Sequence, residues 1–124
     1  MTQGLHELLL GRAPDVAPRL LGSVFVCALP VGTVALRLTE LEAYGGPHDS
    51  DLPDPGAHTY RGRTARNASM FEAPGRIYVY FTYGLHHAVN FVCRDEGTGG
   101  GILVRSGEVV LGQDVAARRR LANR

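Results

Sequence analysis

A carboxylate near the end of an apolar strand is the first feature of this 124-residue chain that could do chemistry. Alternation along Thr33–Tyr44 (TVALRLTELEAY) puts Val34, Leu36, Leu38, Glu40, Glu42 and Tyr44 on one face. Such a face begins apolar and ends in two carboxylates and a phenol, as a core face does where it opens into a pocket. Glu42 is therefore expected to be partly desolvated, which raises a carboxyl pKa and makes a better base. A salt-bridged glutamate at a strand end leaves the same pattern, and periodicity alone does not separate the two.

Aromatic side chains follow close behind. Tyr44, His58, Tyr78, Tyr80 and Tyr83 fall within one stretch of chain, with Arg61, Arg63 and Arg66 among them. Aromatic faces beside arginines suit a stacked nucleobase and its phosphates. Tyr78 and Tyr80 equally suit the core side of a strand. Tyr83, next to Gly84, is expected at a hairpin tip, where a ring can be pushed between base pairs.

Charge is divided along the chain although the net value is only +1. Five acids and no base lie between Glu40 and Asp54, whereas five arginines and one acid lie between His58 and Arg94. A locally basic stretch fits phosphate contact, and paired acidic and basic surfaces fit it too. His48, Asp49, Asp51 and His58 have metal-ligand chemistry, but their spacing matches no metal motif, and a solvated acidic loop explains them better. His86 and His87 point to opposite faces of a strand.

These groups must be carried by ordinary elements. Pro14–Gly22 reads as a short helix ended by Gly22, with Pro18 tolerated only in its first turn. Ser23–Leu29 and Thr33–Tyr44 read as strands joined at Pro30-Val31-Gly32. Residues 45–57 form a Gly/Pro/Asp loop, and a helical turn is expected within Thr64–Phe71. Arg76–Tyr83 and Leu85–Arg94 make a hairpin across Gly84. Asp95–Gly101 is a turn, Ile102–Arg105 a short strand and Gln113–Leu121 a polar helix. This order suggests an α+β fold: a single domain with a curved antiparallel β-sheet and a few short helices. Residues 1–12 are read as an N-terminal tail and 13–124 as the domain.

Composition is that of a soluble globular protein, 44% hydrophobic and 20% charged, and no apolar run approaches the roughly 18 residues of a membrane span. Without a secretory signal, Cys27 and Cys93 are expected to be reduced in a cytoplasmic protein.

Read together, Glu40-Leu-Glu-Ala-Tyr44-Gly45, His58, Tyr60-Arg-Gly-Arg-Thr64, Arg66-Asn67, Met70-Phe71, Pro74-Gly75, Tyr78-Val-Tyr80, Tyr83-Gly84 and Asn90 resemble the signature of the alkyladenine (3-methyladenine) DNA glycosylase family. The resemblance runs from about Ala13 to Arg120. Each piece is weak alone, but their order and spacing are specific. The resemblance implies a base-excision-repair enzyme that flips a damaged purine out of double-stranded DNA and hydrolyses its glycosidic bond. It implies that Glu42 is the general base and that Arg105 helps hold the attacking water. By the same resemblance Tyr44 and His58 sandwich the flipped base and Tyr80 forms a third wall. Asn90 would then disfavour guanine by crowding its 2-amino group, and Tyr83 would intercalate. Arg61, Arg63 and Arg66 are assigned to phosphate contact or local structure. No cofactor or metal, no membrane partner, a monomer and a bacterial cytoplasmic, nucleoid-associated location are implied.

All thirteen basic residues are arginine, and none is lysine. Strand cleavage by a glycosylase needs an amine–sugar Schiff base, usually from Lys or an N-terminal Pro. With Thr2 after Met1, a monofunctional enzyme without a lyase step is expected.

Members of the family continue past the position of Arg118-Arg119-Arg120 through a GPG-like segment and further strands and helices. The C-terminal part of the family domain is thus expected to be absent from this chain. A non-catalytic DNA-binding remnant or fragment is the alternative reading, and a small metal-dependent hydrolase using His48, Asp49, Asp51 and His58 a more distant one.

Overall fold

Runs of β-branched and aromatic residues between glycine-rich turns produce sheet in the centre of this chain. The computed structural model describes residues 2–82, 84 and 86–122. Helices α1 (Thr2–Leu9) and α2 (Ala13–Leu20) come first, followed by β1 (Val24–Leu29) and β2 (Gly32–Tyr44). A single 3-10 turn (Ala68–Phe71), β3 (Ile77–Thr82), β4 (His86–Cys93), β5 (Gly100–Leu111) and α3 (Gln113–Ala122) complete the order. The strands form one antiparallel five-stranded sheet in the order β1-β2-β5-β4-β3. This is the α+β architecture expected from the pattern of elements. Among the described residues, no helix is long and apolar enough to cross a membrane.

The β1–β2 hairpin closes on Pro30-Val31, since Leu29 already pairs with Gly32. Gly32 has φ +137°, and a Cβ there would lie 2.8 Å from Val115 Cγ2, so α3 packs directly on the turn. In α2 the residues Ala13, Val16 and Leu20 form a buried stripe at helical spacing. Pro18 lies in the second turn of this helix rather than the first. Both Pro14 and Pro18 are exposed, so solvent can satisfy the carbonyl left without its i+4 donor. Within the segment read as a tail, α1 places Leu9 in the core beside Ala13, Val16, Leu20, Cys93 and Ile102. Phe91 packs against this cluster and meets Phe25 edge-on, with ring centroids 5.3 Å apart.

Two expectations are corrected by the sheet. First, Val34 to Tyr44 do not keep one strict alternation. The β2–β5 register shifts at Ala35/Leu36, Leu38/Glu40 and Glu40/Leu41, and Ala35 and Leu38 are both buried despite their odd separation. Bulges of this kind add twist and re-aim side chains. Second, β5 extends over twelve residues, far beyond Ile102–Arg105. Gly101, read as the end of a turn, lies in the strand under Met70 Cε, and at Gly107 a Cβ would lie 2.5 Å from Leu36 Cγ and 2.8 Å from the Arg37 carbonyl oxygen, so packing there favours glycine. The large side chains sit on bare backbone.

Candidate functional site

Glu42 pairs with Leu103 across the β2–β5 ladder, and Glu40 pairs with Ser106. Arg105, between those two partners on β5, reaches both carboxylates. Its Nη1 donates to Glu42 Oε2 at 3.0 Å, and its Nε lies 3.7 Å from Glu40 Oε2. Ser106 Oγ donates to Glu40 Oε1 at 2.8 Å and shares a hydrogen bond of 2.8 Å with Thr39 Oγ1. The Tyr44 hydroxyl donates to Glu42 Oε1. Both oxygens of Glu42 thus have a donor, one neutral and one cationic.

These donors decide the protonation state, against the expectation of a raised carboxyl pKa. The Tyr44 hydroxyl, then the Arg105 hydrogen bond and charge, hold Glu42 below the ordinary carboxylate value and outweigh desolvation. With its side chain 30% exposed, Glu42 is too open for burial to win. The same contacts push Tyr44 up to about 12 and raise Arg105. Glu42 is therefore a carboxylate, the form a base must have, with its basicity restrained by its partners.

Beside this group is a pocket of about 40 Å³ lined by Tyr44, Gly56, His58, Met70, Tyr78, Tyr80 and Asn90. Tyr78 and Tyr80 share one face of β3, with ring centroids 5.5 Å apart. His58 lies against both: its ring is 4.5 Å from that of Tyr80, and its Nδ1 is 3.4 Å from the Tyr78 hydroxyl. Asn90 is buried opposite Tyr78 and donates through Nδ2 to the Tyr78 carbonyl at 3.2 Å. Tyr44, His58, Tyr80 and Asn90 are thus brought together. Tyr78, one of the aromatics that suited either a base or the strand core, lines the same pocket, as does Met70, which was not singled out as a site residue. The spacing of Tyr78 two positions before Tyr80 was the available signal for the first. Tyr83, expected to intercalate, lies outside the described residues.

A second, more open cleft of about 390 Å³ shares His58, Tyr78 and Tyr80 and is rimmed by Tyr60, Arg61 and Arg66. Arg61, Arg63 and Arg66 are all exposed, and Arg63 does not line the cleft.

The loop 45–57 sets the gap between Tyr44 and His58. Asp54 closes it, accepting from the Gly45 and Gly56 amides, each at 2.9 Å. The Gly46 amide donates to Leu52 O at 2.9 Å, and that of Asp54 to Gly46 O at 3.1 Å. Arg94 fastens the loop to the sheet with a two-pronged contact to Asp51 at 3.1 and 2.9 Å. Arg12 adds a bond to the Asp51 carbonyl at 3.0 Å. Arg94 holds the left-handed φ of +74° while its amide donates to Leu9 O at 2.7 Å. His48, Asp49, Asp51 and His58 do not form a cluster of three or more metal-ligating groups among the described residues. Asp51 is instead committed to arginine.

A family model described as methylpurine-DNA glycosylase (MPG) matches residues 7–124. A protein of Streptomyces avermitilis provisionally named 3-methyladenine DNA glycosylase is 54% identical over 110 residues, covering 89% of this chain and 49% of its own length. A Corynebacterium glutamicum protein of the same provisional name is 53% identical, covering 87% of this chain and 52% of the relative. For one from Leifsonia xyli the identity is 46%, with 97% and 54% covered. The chain spans about half the length of the curated relatives it matches.

Proposed function

Because this chain belongs to the methylpurine-DNA glycosylase family, we propose that it carries the base-binding and water-activating part of a monofunctional enzyme that hydrolyses the N-glycosidic bond of alkylated or deaminated purines flipped out of duplex DNA. The observation that supports this most directly is the placing of Glu42, bridged to Arg105 at 3.0 Å and to the Tyr44 hydroxyl, next to the pocket of Tyr44, His58, Tyr80 and Asn90.

The chemistry follows from that arrangement. A base within the duplex shields its own glycosidic bond, so extrusion comes first, at about a few kcal/mol. Tyr44 and His58 offer faces to the extruded base, Tyr80 an edge, and Asn90 crowds a 2-amino group. Water attacks C1′ as the C1′–N bond breaks, and the bonding electrons leave with the purine. Glu42 accepts the water proton, and its charge stabilises the oxocarbenium-like sugar in the transition state. Arg105 keeps Glu42 ionised and orients it. An alkylated purine already bears positive charge and departs as a neutral base. A neutral lesion needs a proton, for which His58 is a candidate donor in the pocket. Arg61, Arg63 and Arg66, exposed beside the cleft, suit contact with the phosphates on either side of the lesion. These 124 residues offer no lysine for an amine–sugar Schiff base, so they supply base hydrolysis without a lyase step.

The test is a single-turnover assay on duplex DNA with one hypoxanthine or ethenoadenine, followed by alkali to reveal abasic sites. Base release by the protein that is lost in Glu42→Gln, with lesion binding retained, is the expected result. Lesion binding without base release would make these 124 residues a DNA-binding module and not a self-sufficient enzyme. Strand nicking before alkali would contradict the monofunctional reading.

A further inference from the structure

The loop that follows His58 has no regular structure, yet it carries His58, Arg61 and Arg66 to the edge of the cleft. One buried side chain organises it. Asn67 is only 4% exposed. Its Nδ2 donates to the His58 carbonyl at 3.0 Å and to the Gly62 carbonyl at 3.1 Å. Its Oδ1 accepts from the Thr64 amide at 2.7 Å, and its own amide donates to Thr64 Oγ1 at 3.3 Å.

We infer that Asn67 is a positioning residue for lesion recognition, acting through His58 by fixing the backbone from which the imidazole reaches the base pocket. The argument rests on which groups are bonded. A primary amide supplies two donors and an acceptor from one planar group, and here it meets two carbonyls and an amide on three different residues. Aspartate cannot donate, and serine supplies only one donor. The partners belong to the loop and not to a helix or strand ladder, so the clamp sets the loop's shape. His58 is the partner residue whose ring faces the pocket, 4.5 Å from Tyr80. Gly62, at φ +98°, turns the chain between Arg61 and Arg63 within the same clamp.

The functional part of this inference rests on the glycosylase reading, so its test has two arms. The first measures binding of duplex DNA carrying a single ethenoadenine, and of the same duplex undamaged, in the non-hydrolysing Glu42→Gln background. Asn67→Ser is expected to weaken lesion binding about tenfold, as loss of donors in a buried amide network implies, and to leave undamaged binding nearly unchanged. In His58→Ala protein the same substitution is expected to cost less than about twofold, because residues acting through one another are not additive. Equal losses on damaged and undamaged DNA, or equal losses with and without the His58 ring, would overturn the inference. The second arm needs no lesion: the His58 ring resonances should shift or broaden in Asn67→Ser while those of His86 and His87 stay in place. An unmoved His58 resonance would also overturn it. If the parent protein does not prefer damaged DNA, the glycosylase reading fails and this second arm alone decides the placing of His58. Should Asn67→Ser not fold, Thr64→Ala, which removes the acceptor for the Asn67 amide, undergoes the same two measurements.

Discussion

Thr59 offers a quantitative check on how the pocket wall is tied to the sheet. Its side chain is 0% exposed, and its hydroxyl donates to the Gly99 carbonyl at 2.8 Å, just before β5 begins. The bond joins the residue after His58 to the strand that carries Arg105. Thr59→Val keeps the shape, deletes the donor and leaves a buried carbonyl without it, at a cost of about 1–3 kcal/mol. Thr59→Ser keeps the donor and deletes one methyl, at a cost of about 1 kcal/mol. At about 4 °C per kcal/mol for a domain of this size, the valine variant should melt roughly 4–12 °C below the parent and the serine variant by about 4 °C. Thermal unfolding followed by circular dichroism measures both. A valine variant as stable as the parent, with the serine variant weaker, would show that Thr59 acts by packing and would refute the hydrogen-bond argument.

Further outcomes concern the charges. Tyr44→Phe removes the largest influence holding Glu42 below the ordinary carboxylate value, so the acid limb of the single-turnover rate should move to higher pH; a limb that stays put would assign it to another group. Asp51 is likewise lowered, first by its hydrogen bond to Arg94. A depressed carboxyl contributes stability that is complete above the ordinary pKa and is lost as pH falls through the folded value. Arg94→Gln should therefore flatten the acid dependence of stability between those limits, which unfolding at a series of pH values would show.

The hairpins were readable because runs rich in β-branched and aromatic residues stand either side of short turn segments: VFVCAL and TVALRLTELEAY flank Pro30-Val31, and RIYVYFTY and LHHAVNFVC flank Gly84. Local signals failed where distant packing decides. Gly100 and Gly101 read as the end of a turn but begin β5, and at Gly107 a Cβ would lie 2.5 Å from Leu36 Cγ and 2.8 Å from the Arg37 carbonyl oxygen of the paired strand. The partner that restrains Glu42 was not readable from strand periodicity, which left a salt bridge open, because it is set by the β2–β5 register that pairs Glu42 with Leu103, two residues from Arg105 on the same strand. Thr64 and Asn67, three apart, carry the local signature of a side-chain-capped turn. The bond from Asn67 back to His58 spans nine residues of irregular chain and leaves no periodic trace.

The position of β3 has a consequence for lifetimes. It is the last strand of the sheet, with β4 as its ladder partner. Its inner face supplies Tyr78 and Tyr80, whereas Ile77, Val79 and Phe81 on the other face are exposed. An edge strand covered on one side opens at a lower free energy than a central one. Tyr80, the third wall in the proposed reading, therefore sits on a strand expected to unzip more often than β2, which bears Glu42 and Tyr44, and β5, which bears Arg105. On the proposed reading, breathing of the β3–β4 hairpin would open the Tyr80 side of the pocket while Glu42 and Arg105 remain on the interior strands β2 and β5.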